Sequence, residues 1–145
     1  MIFIGGSIIP WTENANKCSY FVRSEPVILK IFVDENKNAK GQFYLDDGIS
    51  IDIKGEYIYM EYELKDKRIN IKNNNNIDDF EKKKLNEITP VYNKVEIYGY
   101  GKINSAKSES KEFNVNYDSE NDCNTIDLSS YLIKINKSFE IELIQ

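Results

Sequence analysis

The feature that most constrains the fold is a short pattern that repeats along the chain. In each repeat apolar and polar residues alternate, and the alternating segment ends at residues typical of turns. This alternation places every second side chain on one face of a β-strand. No segment sustains a helical period over the length of a typical helix. The pattern predicts about ten strands, over residues 27–33, 42–45, 49–53, 57–64, 68–72, 92–100, 113–117, 125–128, 131–135 and 139–144.

Many short strands separated by turn signals are typical of a sandwich or barrel. We therefore predict an all-β fold, namely an antiparallel β-sandwich. Asp66-Lys67 is expected to be a hairpin turn, and the polar residues 102–111 are expected to form a loop. In the last strand, Phe139, Ile141 and Ile144 are expected to face inward. Residues 73–86 begin with four asparagines and continue as a charged stretch, which is typical of a polar surface insertion.

The composition excludes several kinds of site. The 145 residues contain no histidine, which rules out Ser-His-Asp and Cys-His catalysis and imidazole acid–base chemistry. The net charge of −5 disfavours nucleic acid and anionic membranes as partners. No apolar run approaches the roughly 20 residues that span a bilayer, and Met1 to Pro10 lacks the features of a secretory signal. We expect no cofactor and no metal.

Cys18 and Cys123 are far apart in the sequence, and no CxxC pair exists. A disulfide between them would form only in an oxidising compartment. Two free thiols are the favoured alternative.

Asp46, Asp47 and Gly48 are the most conspicuous acidic site. Asp-Gly favours a hairpin turn, and an Asp side chain accepts hydrogen bonds from backbone N–H groups of a turn. Adjacent strand residues point to opposite faces, so two carboxylates here are badly placed to flank one bond. We expect a structural turn, with an ion site as the alternative.

Two further kinds of site are predicted. Exposed aromatic side chains form sugar-binding platforms, and Trp11 and Tyr44 are the candidate sugar contacts, with Tyr20, Tyr57 and Tyr59 beside them. Ordinary core and cross-strand packing is the favoured interpretation of these rings, with sugar contact as the alternative. Asn136-Lys137-Ser138 is an N-glycosylation triplet, which makes Asn136 a candidate acceptor. The paired glycines Gly5-Gly6 indicate a close approach of backbone.

Four segments, in this order, resemble glycoside hydrolase family 31. Residues 5–10 read GGSIIP, similar to the segment that follows the catalytic barrel of the family. Residues 26–33 read PVILKIFV, residues 41–48 read GQFYLDDG and residues 95–99 read VEIYG, each similar to a segment of the family. The order and spacing of the four, more than any one of them, carry the resemblance.

The resemblance covers nearly the whole chain but only the C-terminal tail of the family's architecture. It implies that residues 1–24 are the end of a proximal β-sandwich and that residues 25–145 form the distal β-sandwich. The family's nucleophile and acid/base are aspartates of the barrel, and no residue here matches them. The resemblance therefore implies no catalytic residue, and the sequence is expected to be a piece of a longer chain.

Residues 23–26 read RSEP and are most similar to the branch of the family that trims glucose from N-linked glycans. That similarity implies the lumen of the endoplasmic reticulum as the location. It also implies the catalytic barrel as a partner and a regulatory β subunit as a further candidate partner. The leading hypothesis is a non-catalytic region that braces the barrel. The alternatives are a free-standing carbohydrate-binding module and a structural or adhesion sandwich.

Overall fold

The computed structural model describes residues 3–13, 25–46, 57–74, 90–109 and 111–145. These residues form eleven β-strands and one 3₁₀ turn at Ser129–Tyr131. The strands are β1 Ser7–Trp11, β2 Val27–Phe32, β3 Ala39–Asp46, β4 Tyr57–Lys65, β5 Arg68–Asn73, β6 Tyr92–Tyr98, β7 Ser105–Ser108, β8 Lys111–Phe113, β9 Val115–Asp118, β10 Cys123–Asp127 and β11 Phe139–Ile144. Among these residues no helix is long and apolar enough to cross a membrane.

All the strands belong to one sheet, in the order β8-β7-β11-β5-β4-β3-β1-β2-β6-β10-β9. Two neighbouring pairs are parallel, β1 with β3 and β2 with β6, and the other pairs are antiparallel. The edge strands β8 and β9 are consecutive in the chain, with only Asn114 between them. Because one residue joins the two edges, the sheet curls until it nearly closes on itself. The all-β prediction is confirmed.

The core fills the inside of this curled sheet. On β4 the inward side chains Ile58, Met60, Tyr62 and Leu64 alternate with outward ones, as the sequence pattern predicts. The phenol groups of Tyr62 and Tyr92 meet in the core at 3.2 Å, and the Tyr92 hydroxyl donates to the carbonyl of Ile135 at 3.3 Å. Burial raises the pKa of both phenols, so they stay neutral and act as hydrogen-bonding groups inside the core.

The longer strand predictions are confirmed, at β2, β3, β4, β5, β6, β10 and β11. The hairpin turn at Asp66-Lys67 is also confirmed, since both residues have positive φ, at 50° and 64°. This is the geometry of a turn whose twist matches its flanking strands.

Residues 102–111 are not a loop throughout, because Ser105–Ser108 is strand β7 and β8 begins at Lys111. β7 exists because β11 offers it a hydrogen-bonding edge, and only Ala106 on it faces the core. One apolar residue is too weak a signal for sequence reasoning to detect. The predicted strand 113–117 is two strands, since the chain passes from β8 to β9 at Asn114.

Two predictions near the C-terminal end are wrong. Residues 131–135 do not form a strand, because the 3₁₀ turn ends there and Leu132 takes a left-handed conformation with φ of 49°. On β11 the residues that face the core are Phe139 and Ile141, as predicted, and Leu143, whereas Ile144 is exposed. Strict alternation from Ile141 selects Leu143 as the third inward position.

Two other predictions lie outside the described residues. The strand at 49–53 is one of them, and the polar insertion at 73–86 is described only at its first two residues. β1 lies between β2 and β3 in the sheet. The division of the chain at residues 1–24 and 25–145 stays a prediction.

Gly41 permits a close contact between β3 and β1. A Cβ atom added to Gly41 would overlap the backbone carbonyl of Ile8 on β1. At the same place the amide of Lys40 donates to the carbonyl of Gly6 at 3.0 Å. Only a residue without a side chain allows β1 and β3 to approach this closely.

Replacing Gly41 with alanine is therefore expected to lower the free energy of unfolding by about 3 kcal/mol or more, because backbone must move. Urea unfolding monitored by tryptophan fluorescence measures this change. Gly101→Ala is the matched control, since Gly101 has φ of 80° but nothing within 4 Å of its added Cβ. That control should cost only about 1–2 kcal/mol of backbone strain. Equal costs for the two variants would contradict the steric explanation.

Candidate binding groove at Trp11 and Tyr44

Trp11 and Tyr44, the two predicted sugar contacts, line the same surface groove. The groove has a volume of about 120 Å³ and lies at one end of the curled sheet. Trp11 is the last residue of β1, and Tyr44 lies near the end of the neighbouring strand β3. Most of the other lining residues are apolar, and they include Pro10, Val27, Phe43, Leu45 and Pro90.

Tyr44 presents its ring to the outside of the sheet and is 50% exposed. Its ring stacks on that of Tyr57 on β4, with centroids 5.4 Å apart and planes inclined by 25°. In the β3–β4 register Tyr44 faces Tyr59, so the stacked partner is its diagonal neighbour. These three tyrosines form an aromatic surface that continues from the groove onto β4.

Trp11 lies on the outer face of the sheet, directly opposite Ile28 on β2. Ile28 is only 2% exposed although it does not belong to the central core, so outer-face side chains cover it. The ammonium group of Lys30 lies over the indole ring, 5.4 Å from its centroid. The indole of Trp11 thus makes a cation–π contact with Lys30 at the groove.

Lys30 connects the groove to an ion network on the outer face of β2 and β6. Its ammonium group is 3.3 Å from a carboxylate oxygen of Glu96, and that of Lys94 is 3.0 Å from the other oxygen. The Tyr98 hydroxyl donates to Glu96 at 2.8 Å. Lys94 also reaches Glu13 at 3.3 Å.

Glu96 is the central group of this network and is only 9% exposed. Burial by itself would raise the pKa of Glu96, but hydrogen bonds from Lys94 and Tyr98 and the charges of Lys30 and Lys94 outweigh it, so the pKa is lowered. The hydrogen bond with Glu96 raises the pKa of Lys94. Both groups stay charged at neutral pH, which suits a structural cluster and not acid–base catalysis.

The structure describes only part of the predicted acidic turn. Asp46 is the last residue of β3 and pairs with Tyr57, whereas Asp47 and Gly48 lie outside the described residues. The turn and its alternative, an ion site, both stay predictions. No group of three His, Cys, Asp or Glu side chains that would hold a metal occurs within the described part of the chain.

The Asn136 triplet lies in the turn before β11, where the amide of Lys137 donates to the carbonyl of Lys134 at 3.0 Å. Asn136 is half-buried, and its Oδ1 is buried without a hydrogen-bond partner among the described residues. Ser138 Oγ accepts a hydrogen bond from the backbone amide of Asn73 at 2.9 Å. Glycosylation of Asn136 stays a prediction.

Of the remaining tyrosines and cysteines that the sequence singled out, some lie within the described residues and some outside them. Tyr57 and Tyr59 lie on the outer face of β4, whereas Tyr20 and Cys18 lie outside the described residues. Cys123 is buried at the start of β10, and burial raises the pKa of its thiol. The redox state of the two cysteines stays a prediction.

Sequence reasoning missed the apolar wall of the groove and the ion network. Pro10 and Phe43 are separated along the chain and meet because β1 lies beside β3, and Pro90 joins them because β6 lies beside β2. Lys30 and Glu96 face one another because β2 and β6 are parallel neighbours. The sequence offered one signal for the pair of Lys30 and Glu96. Each is a charged residue at an outward position of a strand that is otherwise apolar.

Comparisons with known proteins give partial matches. No family model matches the chain. Neutral alpha-glucosidase AB of Dictyostelium discoideum is 40% identical over 63 residues, which are 43% of this chain and 7% of that protein. Intestinal sucrase-isomaltase of Suncus murinus is 39% identical over 62 residues, 41% of this chain and 3% of that protein. The resemblance to family 31 α-glucosidases is thus confirmed over a small part of those proteins.

Among solved structures, a heterodimeric complex of endoplasmic-reticulum glucosidase II, with its catalytic subunit and the binding domain of the regulatory subunit, matches with a TM-score of 0.74. The match covers 96% of this chain and 16% of that one, at 19% identity. At that identity the match shows the fold alone. The chain has the fold of a β-rich part of the glucosidase II α subunit.

The ion network predicts a specific effect of Glu96→Gln. The variant should lower the free energy of unfolding at pH 7 by about 1–3 kcal/mol, because it removes charge-assisted hydrogen bonds from a buried site. The lowered pKa of Glu96 means that its contribution exists at neutral pH and is lost as pH falls below the ordinary value of 4.5. Urea unfolding at pH 7 and in acid measures both effects.

Glu63→Gln is the matched control, because Glu63 is 40% exposed and pairs with an exposed Lys40 at 3.0 Å. An exposed pair should contribute less than about 1 kcal/mol. The wild-type chain and Glu96→Gln should become more similar in stability as pH falls. A gap between them that is undiminished in acid would show that Glu96 acts through packing and not through its charge.

Proposed function

We propose, from the partial resemblance to family 31 α-glucosidases, that this chain is the non-catalytic C-terminal β-sandwich region of an α-glucosidase similar to glucosidase II. The observation that carries the proposal is the fold match, which includes almost all of this chain and a small fraction of the neighbour's. A match that covers nearly all of one chain and a small part of the other is expected when the first chain is one domain of a larger enzyme. Its task in that enzyme is to brace the catalytic barrel.

The chemistry of the groove supports a role without catalysis. Retaining glycosidases need two carboxyl groups about 5 Å apart, on either side of the bond to be cleaved. None of the described residues that line the Trp11–Tyr44 groove is acidic. The nearby carboxylate of Glu96 is already paired with two lysines.

The apolar surface along β1 supports the bracing role. Ile4, just before β1, is 79% exposed, and next to it Phe3 stacks on Phe32 with centroids 4.2 Å apart. At the other end of β1 lies the groove with Trp11. Exposed apolar side chains that gather in one region often mark a contact with another protein surface. We assign it to the barrel, which the resemblance to family 31 implies as a partner.

The finer expectations belong to the same proposal. Residues 1–24 would end a proximal sandwich, and residues 25–145 would form the distal one. The parent enzyme would remove terminal α-glucose from N-linked glycans in the lumen of the endoplasmic reticulum, where Asn136 is a candidate glycan acceptor. A regulatory β subunit is a further candidate partner, since the glucosidase II complex contains one.

A free-standing carbohydrate-binding module is the second candidate function. It is favoured by the position of Trp11 and Tyr44 in one groove, beside the rings of Tyr57 and Tyr59. The apolar wall of the groove counts against it, because sugar hydroxyl groups require polar partners. The groove is better suited to an apolar side chain of the barrel.

The proposal predicts that the natural polypeptide is several times longer than this chain. An antibody raised against residues 111–145 should isolate that polypeptide together with α-glucosidase activity on 4-nitrophenyl α-glucoside. Isolation of a polypeptide of this length alone, without activity, would overturn the proposal.

In the isolated enzyme, Ile4→Asp should lower the melting temperature, because the proposed barrel contact would bury the new carboxylate. Leu132→Asp is the matched control, since Leu132 is 71% exposed and its left-handed conformation tolerates Asp. Differential scanning calorimetry measures both variants. An Ile4→Asp enzyme as stable as the control would show that the surface near Ile4 is not covered.

A further inference from the structure

A second cleft lies where the sheet fails to close. It has a volume of about 560 Å³ and is lined chiefly by Asn104, Glu112, Asn114, Asn116, Asp127 and Tyr131, which we call the seam cleft. The edge strands β8 and β9 form its sides, and Asn114 joins them. This volume lies within the range of small-molecule sites.

The lining of the seam cleft is rich in amide groups that have no internal partner. The side chains of Asn104, Asn114 and Asn116 are exposed, and they make no hydrogen bond to any described residue. Each amide offers two donors and an acceptor in a concave site. Such groups match hydroxyl groups of a ligand, which also donate and accept.

The floor of the seam cleft is apolar and fixed. The rings of Phe113 and Tyr131 meet edge to face, with centroids 4.9 Å apart. The Tyr131 hydroxyl donates to the backbone carbonyl of Glu112 at 3.1 Å, which ties the 3₁₀ turn to the edge strand β8. Val115 and Tyr131 are half-buried in the lining, and the ammonium group of Lys111 lies over the Tyr131 ring, 5.2 Å from its centroid.

The loop that carries Asn104 is also held in place. Asn124, fully buried, accepts a hydrogen bond from the amide of Ile103 at 2.9 Å and donates to the carbonyl of Gly101 at 2.8 Å. The amide of Asn104 itself donates to the carbonyl of Ile144 at 2.8 Å. The backbone that carries Asn104 therefore needs little ordering when a ligand binds.

Charge and geometry select the class of ligand. The two carboxylates of Glu112 and Asp127 outnumber the one ammonium group of Lys111 over Tyr131, so the seam cleft has a net negative charge, which disfavours phosphate and other anions. An added peptide strand would need the free edge of β8 or β9, but these strands have only three and four residues, and the phenol of Tyr131 occupies a carbonyl of β8. A neutral ligand with many hydroxyl groups satisfies all these conditions.

We propose that the seam cleft binds a neutral oligosaccharide, whose hydroxyl groups hydrogen-bond to Asn104, Asn114 and Asn116. The seam cleft is formed by the gap between β8 and β9, whereas the Trp11–Tyr44 groove lies beside β1 and β3. Sugar binding at the seam cleft depends only on residues of this chain. It can therefore be tested independently of the proposed parent enzyme.

The test is an NMR titration of the ¹⁵N-labelled chain with maltotriose and, separately, with mannotriose. We expect at least one of the two sugars to shift the side-chain amide signals of Asn114 and Asn116, with a Kd below about 10 mM. The double variant Asn114→Ala/Asn116→Ala should weaken binding by about tenfold or more, because it removes two sets of hydrogen bonds. Asn121→Ala is the control, an exposed amide whose side chain already donates to Asp118 at 2.7 Å.

Three results would overturn the proposal. One is the absence of binding by both sugars to the folded chain. Another is sugar binding that Trp11→Ala abolishes and the double variant leaves intact, which would assign binding to the other groove. The third is that the side-chain amide signals of Asn114 and Asn116 shift with a trilysine peptide but with neither sugar. That result would identify the seam cleft as an acidic site for cations. Unchanged melting temperature of the double variant ensures that lost binding reflects the seam cleft itself.

Discussion

The structure depends on one close contact between backbones, where β1 passes Gly41 of β3. Among the described strands, β1 makes the hydrogen-bonded connection between the six strands that end with β3 and the four that begin with β2, whereas Asn114 joins the two groups covalently at the opposite edges. A side chain at Gly41 would strike the carbonyl of Ile8 and separate the two halves. The curled sheet, its core and both surface sites therefore rely on a residue without a side chain at this position.

The two faces of the sheet are stabilised in different ways. The inner face is almost wholly apolar, and its polar atoms, such as the phenols of Tyr62 and Tyr92, are paired with one another. The outer face of β2 and β6 carries stacked rings and the Glu96 network. Burying a carboxylate there is tolerable because two lysines and a tyrosine compensate it. The same network orients Lys30 over Trp11 and so connects the stability of the outer face to the groove.

The two surface sites have complementary chemistry. The Trp11–Tyr44 groove is small and apolar, which suits a protein side chain, whereas the seam cleft is larger and lined with amides, which suits hydroxyl groups. In the proposed parent enzyme these would be separate tasks, bracing by one surface and sugar contact by the other. The comparisons with family 31 α-glucosidases are compatible with both tasks, since they concern the fold and a stretch of 63 residues.

The sequence by itself determined the all-β fold and most of the strands, because alternation along residues such as 57–64 records which side of a sheet each residue occupies. It also indicated Trp11 and Tyr44 as candidate sugar contacts, because their aromatic side chains are conspicuous without any knowledge of their neighbours. Only the tertiary structure placed these two residues in one groove, brought Lys30 to Glu96, and left a cleft between β8 and β9. The physical reason is that alternation is a local property of a strand, whereas the order of strands in a sheet depends on contacts between distant segments. That order is set by features such as the space at Gly41, which one residue's identity does not reveal until its neighbour is known.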